Sequence, residues 1–233
     1  MNTRFWFPGR WLGAVSLVLG PLLLLLGVVL RLPWFFSFPA ERLQALQAQP
    51  TFFPLELAAG EVHPGLMNAS YGAFLAGNVL MWPAVATVSM LAGQRSPRWA
   101  LWGGALALFG LFARTFHAGV DHFAFQLVNV RNLQTATAAV ADSYKVISYG
   151  PFDLIGILGF AVLLGWPVLA VAAYRAGTLG LIRAVALALP AALMAGVLKG
   201  STIMSVIATA GLCVALVPLG LETLWHAPAD DRG

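Results

Sequence analysis

The chain has 233 residues, of which 60% are hydrophobic and 9% are charged. Soluble domains carry roughly 45–50% apolar and about 25% charged residues, so this composition excludes a soluble globular protein, and its apolar content excludes a disordered one. The formal net charge is +4, but the basic residues stand singly between apolar runs, which is typical of membrane topology signals and not of a nucleic-acid surface. The sequence therefore predicts an all-α, polytopic integral membrane protein with a single transmembrane domain.

Six apolar stretches are each long enough for a transmembrane helix, which needs about 20 residues to cross roughly 30 Å of hydrocarbon. The first, from Trp11 to Leu30 at its core, is longer than a signal-peptide core, and we interpret it as a retained anchor. The sequence thus predicts a bundle of six transmembrane helices at residues 11–32, 71–92, 99–120, 152–173, 179–198 and 202–224.

An even number of spans places both termini on the same side of the membrane. Two of the connecting segments on the side of the termini are short and carry paired arginines, Arg95 with Arg98 and Arg175 with Arg183. Short basic loops favour the cytoplasm. We therefore expect a cell-membrane protein with both termini in the cytoplasm.

The outer loop at 33–70 combines aromatic side chains with a polar stretch of helical character, Glu41 to Gln49. Aromatic rings favour the headgroup level, so the loop is predicted to lie on the outer face, either as a lid that places Glu61 and His63 over a cavity or as a belt that anchors the first helix. Its aromatic residues are Trp34, Phe35, Phe36, Phe38, Phe52 and Phe53.

The second outer loop, 129–148, is predicted to hold a short amphipathic helix. Its apolar side chains recur at a spacing that brings them near one side of a helix. They are Leu133, Val140, Tyr144 and Ile147.

The densest group of ionisable residues lies in and just beyond the third predicted span. At about 100° per residue, Arg114, His117 and Asp121 share one stripe of a helix, and His122 points to a different neighbour. Ionisable groups in the hydrocarbon are costly and are functional candidates by default. This stripe is the principal candidate site.

Three interpretations of the stripe stay open. His117 and Asp121, one turn apart, would both reach a divalent metal ion if other helices supplied further ligands. Alternatively, Asp121 would orient a neutral His117 as a general base. In the third interpretation, Arg114, His117 and Asp121 satisfy one another as a polar ladder that fixes helix packing.

The string from Gly119 to Phe125, Gly-Val-Asp-His-Phe-Ala-Phe, resembles a stretch of the nickel permeases associated with hydrogenase and urease maturation. In that family a helix carries a histidine followed by an Asp-His pair. Here the histidine is His117 and the pair is Asp121-His122, with shorter spacing and on the third helix. The resemblance implies a divalent cation as ligand.

Other polar residues are expected at the same depth as the stripe. Asn78 lies about two turns into the second predicted span, and Asp153 lies at the start of the fourth. If the helices bundle, these groups line an outward-facing pocket. The predicted ligand-binding set is Arg114, His117, Asp121, His122, Asp153 and Asn78.

Three functions fit these features. The first is a protein that binds or transports a small solute or cation at the polar pocket, within membrane lipids and with a homo-oligomer or partner subunit completing the path. The second is a membrane-embedded enzyme that uses Asp121 and His117 as acid and base on a lipid-soluble substrate, an isoprenoid or an acyl chain. The third is an assembly or immunity factor without small-molecule chemistry.

Overall fold

The computed structural model describes residues 7–32, 39–48, 53–144, 154–193 and 202–225. Within these ranges every regular element is an α-helix. The helices are α1 (Arg10–Leu30), α2 (Ala40–Gln47), α3 (Phe53–Val62), α4 (Pro64–Gly93), α5 (Pro97–Val130), α6 (Leu133–Tyr144), α7 (Leu154–Arg175), α8 (Leu181–Leu193) and α9 (Ile203–Trp225).

Five of these helices are long and apolar enough to cross a membrane: α1, α4, α5, α7 and α9. The described part of the chain is therefore all-helical, and its apolar helices are compatible with a multi-pass membrane protein. The predicted span 179–198 corresponds to α8, whose 13 described residues extend about 20 Å at 1.5 Å per residue, and residues 194–201 lie outside the described part of the chain. A count of six spans is thus not confirmed.

The helices α4 and α5 are longer than the sequence predicts. The first begins at Pro64 instead of residue 71, and the second continues to Val130 instead of residue 120. Hydropathy marks only the stretch suited to hydrocarbon, whereas backbone hydrogen bonding continues through the polar residues at its edges. These extensions bring Tyr71 and Asp121 inside long helices instead of at their ends.

Local sequence explains several helix ends. Pro64 and Pro97 occupy the first turn of α4 and α5, where the fixed φ of proline suits the helix and its missing N–H costs nothing. The Asn132 side chain accepts a 2.7 Å hydrogen bond from the backbone N–H of Thr135 and so caps the start of α6. Gly177 follows α7 with a φ of 73°, which glycine adopts without strain.

The long helices form a ring in chain order, in which α1 packs on α4, α4 on α5, α5 on α7, α7 on α8, and α8 on α9. The last helix, α9, packs back against α1, and α4 also contacts α7 across the ring. The buried core of this ring is apolar and rich in alanine, with large side chains that include Leu17, Met81, Leu169 and Leu216.

Glycines allow the closest contacts between these helices. A Cβ at Gly103 of α5 would lie 2.7 Å from the Cα of Leu169 on α7, and one at Gly77 of α4 would lie 2.6 Å from the backbone N of Leu24 on α1. Small residues at helix interfaces let backbones approach closely, which drives helix association in lipid. The pairs α1–α4 and α5–α7 are therefore fixed by backbone contact.

One end of the ring is covered by the short helices α2, α3 and α6, and we call it the capped end. Here α3 contacts α4, α5 and α6, and α2 contacts α3. The ion pair between Arg42 of α2 and Glu61 of α3 is 2.9 Å long and partly exposed. The aromatic residues from Trp34 to Phe52 lie outside the described residues, so the belt and lid interpretations of loop 33–70 stay predictions.

At the opposite end, arginine side chains bind the C-terminal turns of helices. The Nε and Nη2 atoms of Arg10 donate hydrogen bonds to the carbonyl oxygens of Thr223 and Leu224, at 3.0 and 2.8 Å. The Arg183 guanidinium lies 3.2 Å from the Glu222 carboxylate. Cations at helix C-termini satisfy carbonyls that have no intrahelical partner, so the bonds of Arg10 join the first helix to the last.

We expect Gly103→Ala to destabilise the protein and Gly119→Ala to leave its stability nearly unchanged. Both glycines lie on α5, but a Cβ at Gly103 meets the backbone of α7, whereas a Cβ at Gly119 meets nothing within 4 Å. Overpacking costs typically about 1–3 kcal/mol. The measurement is thermal unfolding of both variants in detergent. Equal melting temperatures for the two variants would contradict the backbone contact.

Candidate functional site

The site is organised around Tyr71, near the start of α4. This side chain is 4% exposed, and its ring lies 4.9 Å from that of Phe125 on α5, tilted by 55°. Tilted aromatic pairs of this kind are favourable. The packing holds the phenol rigidly inside the capped end.

Two carboxyl groups contact the Tyr71 hydroxyl. Its Oη atom lies 3.3 Å from Oε2 of Glu56 on α3 and 3.4 Å from Oδ2 of Asp121 on α5. Glu56 is 5% exposed and Asp121 is 7% exposed. One hydroxyl therefore joins acidic groups from two different helices in a buried position.

Glu56 is buried because the middle of α3 is enclosed on all sides. Every residue from Pro54 to Gly60 is buried, and a Cβ at Gly60 would lie 2.7 Å from the ring of Phe125. The glycine thus lets α3 approach α5 closely. The acidic side chain points into the protein instead of toward water.

Two arginines lie beside the carboxyl groups. The guanidinium of Arg31, at the end of α1, stacks on the rings of Tyr71 and Phe74, at 4.5 and 4.7 Å from the ring centres. The guanidinium of Arg114, on α5, lies 5.7 Å from the centre of the Phe74 ring. Arginine over an aromatic face is attracted by the ring quadrupole.

We call Glu56, Tyr71 and Asp121, together with Arg31 and Arg114, the carboxyl cluster. With both acids ionised, its two negative and two positive charges balance. Buried charges are tolerated when they are compensated in this way.

Burial raises the pKa of Glu56 above its usual value, because desolvation penalises the charged carboxylate. The positive charge of Arg31, the Tyr71 hydrogen bond and the charge of Arg114 lower that pKa, in decreasing order of effect, but do not cancel the effect of burial. Glu56 therefore holds a proton more tightly than an exposed glutamate does.

Each carboxyl group has one oxygen without a hydrogen-bond partner among the described residues: Oε1 of Glu56 and Oδ1 of Asp121. Buried polar atoms in folded proteins are nearly always satisfied. The cluster therefore has unused capacity to accept hydrogen bonds.

The structure places the residues of the predicted stripe in different surroundings. Asp121 accepts its hydrogen bond from Tyr71, on another helix. His117 is half-buried, with its ring 5.8 Å from that of Phe116, and His122 is exposed beside Gln126. The acid–base pairing of Asp121 with His117 stays a prediction.

Asn78 serves helix packing in the structure. Its side-chain amide donates to the carbonyl oxygen of Leu111 at 3.2 Å and to the hydroxyl of Thr115, and so joins α4 to α5. A small cavity of about 20 Å³ lies beside Asn78 and Arg114, which is room for one water molecule. Asp153 lies outside the described residues.

The described residues contain no group of three or more His, Cys, Asp or Glu side chains placed to hold a metal ion. The metal interpretation of His117 and Asp121 therefore has no third described ligand and stays a prediction.

Sequence reasoning missed Arg31, Glu56 and Tyr71. Arg31 stands where a topology charge is expected, and Glu56 falls within a loop predicted to lie on the membrane surface. The available signal was a single acid in the apolar string Phe-Pro-Leu-Glu-Leu-Ala-Ala-Gly, from Phe53 to Gly60. A single acid in an apolar segment is buried only when it has a partner, and the partner of Glu56 is the Tyr71 hydroxyl.

Comparison with models of known protein families, with curated proteins and with solved structures gives no significant match to this chain. The fold alone therefore indicates the class, a helical protein compatible with several passes through a membrane, and the carboxyl cluster is the feature that bears on function.

We expect Glu56→Gln to become more stable relative to the wild type as the pH rises. The folded-state pKa of Glu56 is raised, so the favourable contribution of its protonated form is complete below the unfolded value, about 4.3, and is lost as the pH rises through the folded-state pKa. Glutamine does not titrate and loses nothing. The measurement is the difference in melting temperature between the variant and the wild type from acidic to neutral pH.

The control is Glu61→Gln, which removes an exposed carboxyl from the same helix. The change in this difference with pH should be larger for Glu56→Gln than for Glu61→Gln, because only Glu56 is buried. A pH-independent difference for Glu56→Gln would contradict the raised pKa.

Proposed function

We propose that the protein binds a small solute or cation at the carboxyl cluster and carries it through the membrane. The observation that supports this is the pair of acids, Glu56 and Asp121, that are each more than nine-tenths buried and each keep one oxygen without a partner among the described residues. Buried ionisable groups in membrane helices typically mark ligand or ion pathways.

The chemistry of the two acids selects the ligand. An ionised carboxylate only accepts hydrogen bonds, so the ligand is a monovalent cation or a small solute with N–H or O–H donors, such as an ammonium group. A divalent metal fits less well, because the guanidinium groups of Arg31 and Arg114 lie beside the carboxyl groups and repel a doubly charged ion more strongly than a singly charged one.

The position of the carboxyl cluster fits a ligand that enters from outside the cell. The arginine distribution predicts cytoplasmic termini, and the described ends, Phe7 and Trp225, lie at the end of the bundle opposite the capped end. On this orientation the capped end faces outward, and α2 and α3 lie between the cluster and the outer solution.

The test is thermal unfolding of the protein in lipid nanodiscs with methylammonium, sodium or tetramethylammonium chloride at equal ionic strength. A ligand at 100 times its Kd adds about 2.7 kcal/mol to folding stability. We expect methylammonium or sodium to raise the melting temperature relative to tetramethylammonium, which has no hydrogen to donate and whose methyl groups keep its charge away from a carboxylate oxygen. Uptake of labelled methylammonium or sodium into proteoliposomes then tests transport across the membrane.

Asp121→Asn should abolish the rise in melting temperature and the uptake, because the amide supplies no charge to the ligand. Glu61→Gln, which changes an exposed carboxyl, should retain both. Absence of a rise with either cation in the wild type, or an equal rise in Asp121→Asn, would overturn the proposal.

A further inference from the structure

The Tyr71 hydroxyl has one hydrogen but two carboxyl neighbours. A phenol donates a single hydrogen bond, yet its oxygen lies 3.3 Å from Oε2 of Glu56 and 3.4 Å from Oδ2 of Asp121. If both acids were ionised, one of these oxygen–oxygen contacts would contain no hydrogen and would be repulsive. A protonated carboxyl would supply a second hydrogen, so that both contacts become hydrogen bonds.

We infer that Glu56 and Asp121 share one proton through the hydroxyl of Tyr71, so that the carboxyl cluster is a proton-binding site. In one arrangement Glu56 is the acid and donates to the phenol oxygen, while the phenol donates to the Asp121 carboxylate. In the other arrangement the direction of both hydrogen bonds is reversed.

The two arrangements interconvert without a change in composition. The O–H bond of Glu56 breaks as its proton binds the phenol oxygen. At the same time the original O–H bond of the phenol breaks, and the phenol proton binds Asp121. The reverse transfer restores the first arrangement. The number of protons and the total charge are the same before and after, so no further reactant is needed.

The charged groups around the cluster fit a single proton. Arg31 on α1 and Arg114 on α5 keep one carboxylate ionised, whereas burial opposes ionisation of the second. On α6 the side chains packed against this region are apolar, among them Leu133, Ala136 and Val140. On α2, Arg42 is engaged with Glu61.

A functional consequence follows, and it rests on the proposed function. If a monovalent cation binds both carboxylates, the shared proton has to leave, and the charge of the buried cluster stays constant. Binding of the cation is then an exchange for a proton. The buried cluster never carries the full additional charge of the ligand.

The test of the shared proton uses infrared spectroscopy of the whole protein in nanodiscs, without added ligand. We expect the wild type at neutral pH to show a C=O band of a protonated carboxyl that shifts in deuterated water. Glu56→Gln and Asp121→Asn should each lose this band, because one remaining acid beside two arginines is ionised. Glu61→Gln should keep it, and Tyr71→Phe should move it, since the phenol is its hydrogen-bond partner.

Several results would overturn the shared proton. These are absence of the band in the wild type, survival of the band in Asp121→Asn or in Glu56→Gln, and an unchanged band in Tyr71→Phe. Absence of the band in the wild type overturns the shared proton even if a variant fails to fold.

Exchange is tested separately with a pH indicator in weakly buffered solution. Addition of methylammonium or sodium chloride should release a proton from the wild type but not from Asp121→Asn, with tetramethylammonium chloride as the control. If the infrared band is present and neither cation binds, the shared proton stands and the proposed function fails. If a cation binds without the band and without proton release, the proposed function stands and the shared proton fails.

Discussion

The close approach of helix backbones determines the positions of all other parts of this protein. In lipid, helices gain little from burying apolar side chains, so van der Waals contact between backbones has to hold them together. Gly77 brings α4 against α1, and Gly103 brings α5 against α7. These contacts fix α1, α4 and α5, which carry four of the five residues of the carboxyl cluster.

The fifth residue of the carboxyl cluster is supplied by a short helix that packs against these long helices. Glu56 enters on α3, which is held by apolar packing around Leu57 and Ala59 and by the space that Gly60 leaves for Phe125. An acid delivered in this way can be buried without interrupting a membrane-spanning helix. The long apolar helices cross the bilayer, and a separate short helix, α3, completes the site.

The sequence predicts the class of the protein well, because few charged residues and long apolar runs indicate directly that the chain is surrounded by lipid. It also places Asp121 on one helical stripe with Arg114 and His117, since 3.6 residues per turn separates this stripe from His122, and the role of the stripe stays a prediction. It does not predict the partner of Asp121. Tyr71 lies 50 positions away and Glu56 lies in a segment whose burial depends on tertiary packing, so neither contact leaves a periodic signal in the chain.

The ring of helices has a consequence for how the protein is made. Its closing contact joins α1 to α9, the two long helices that lie farthest apart along the described part of the chain. A Cβ at Gly220 of α9 would lie 2.7 Å from the Val18 side chain, and Arg10 binds the final turn of α9. During synthesis α1 therefore presents an unfilled face to lipid or to an insertion factor until α9 has entered the membrane. The ring closes only at that point.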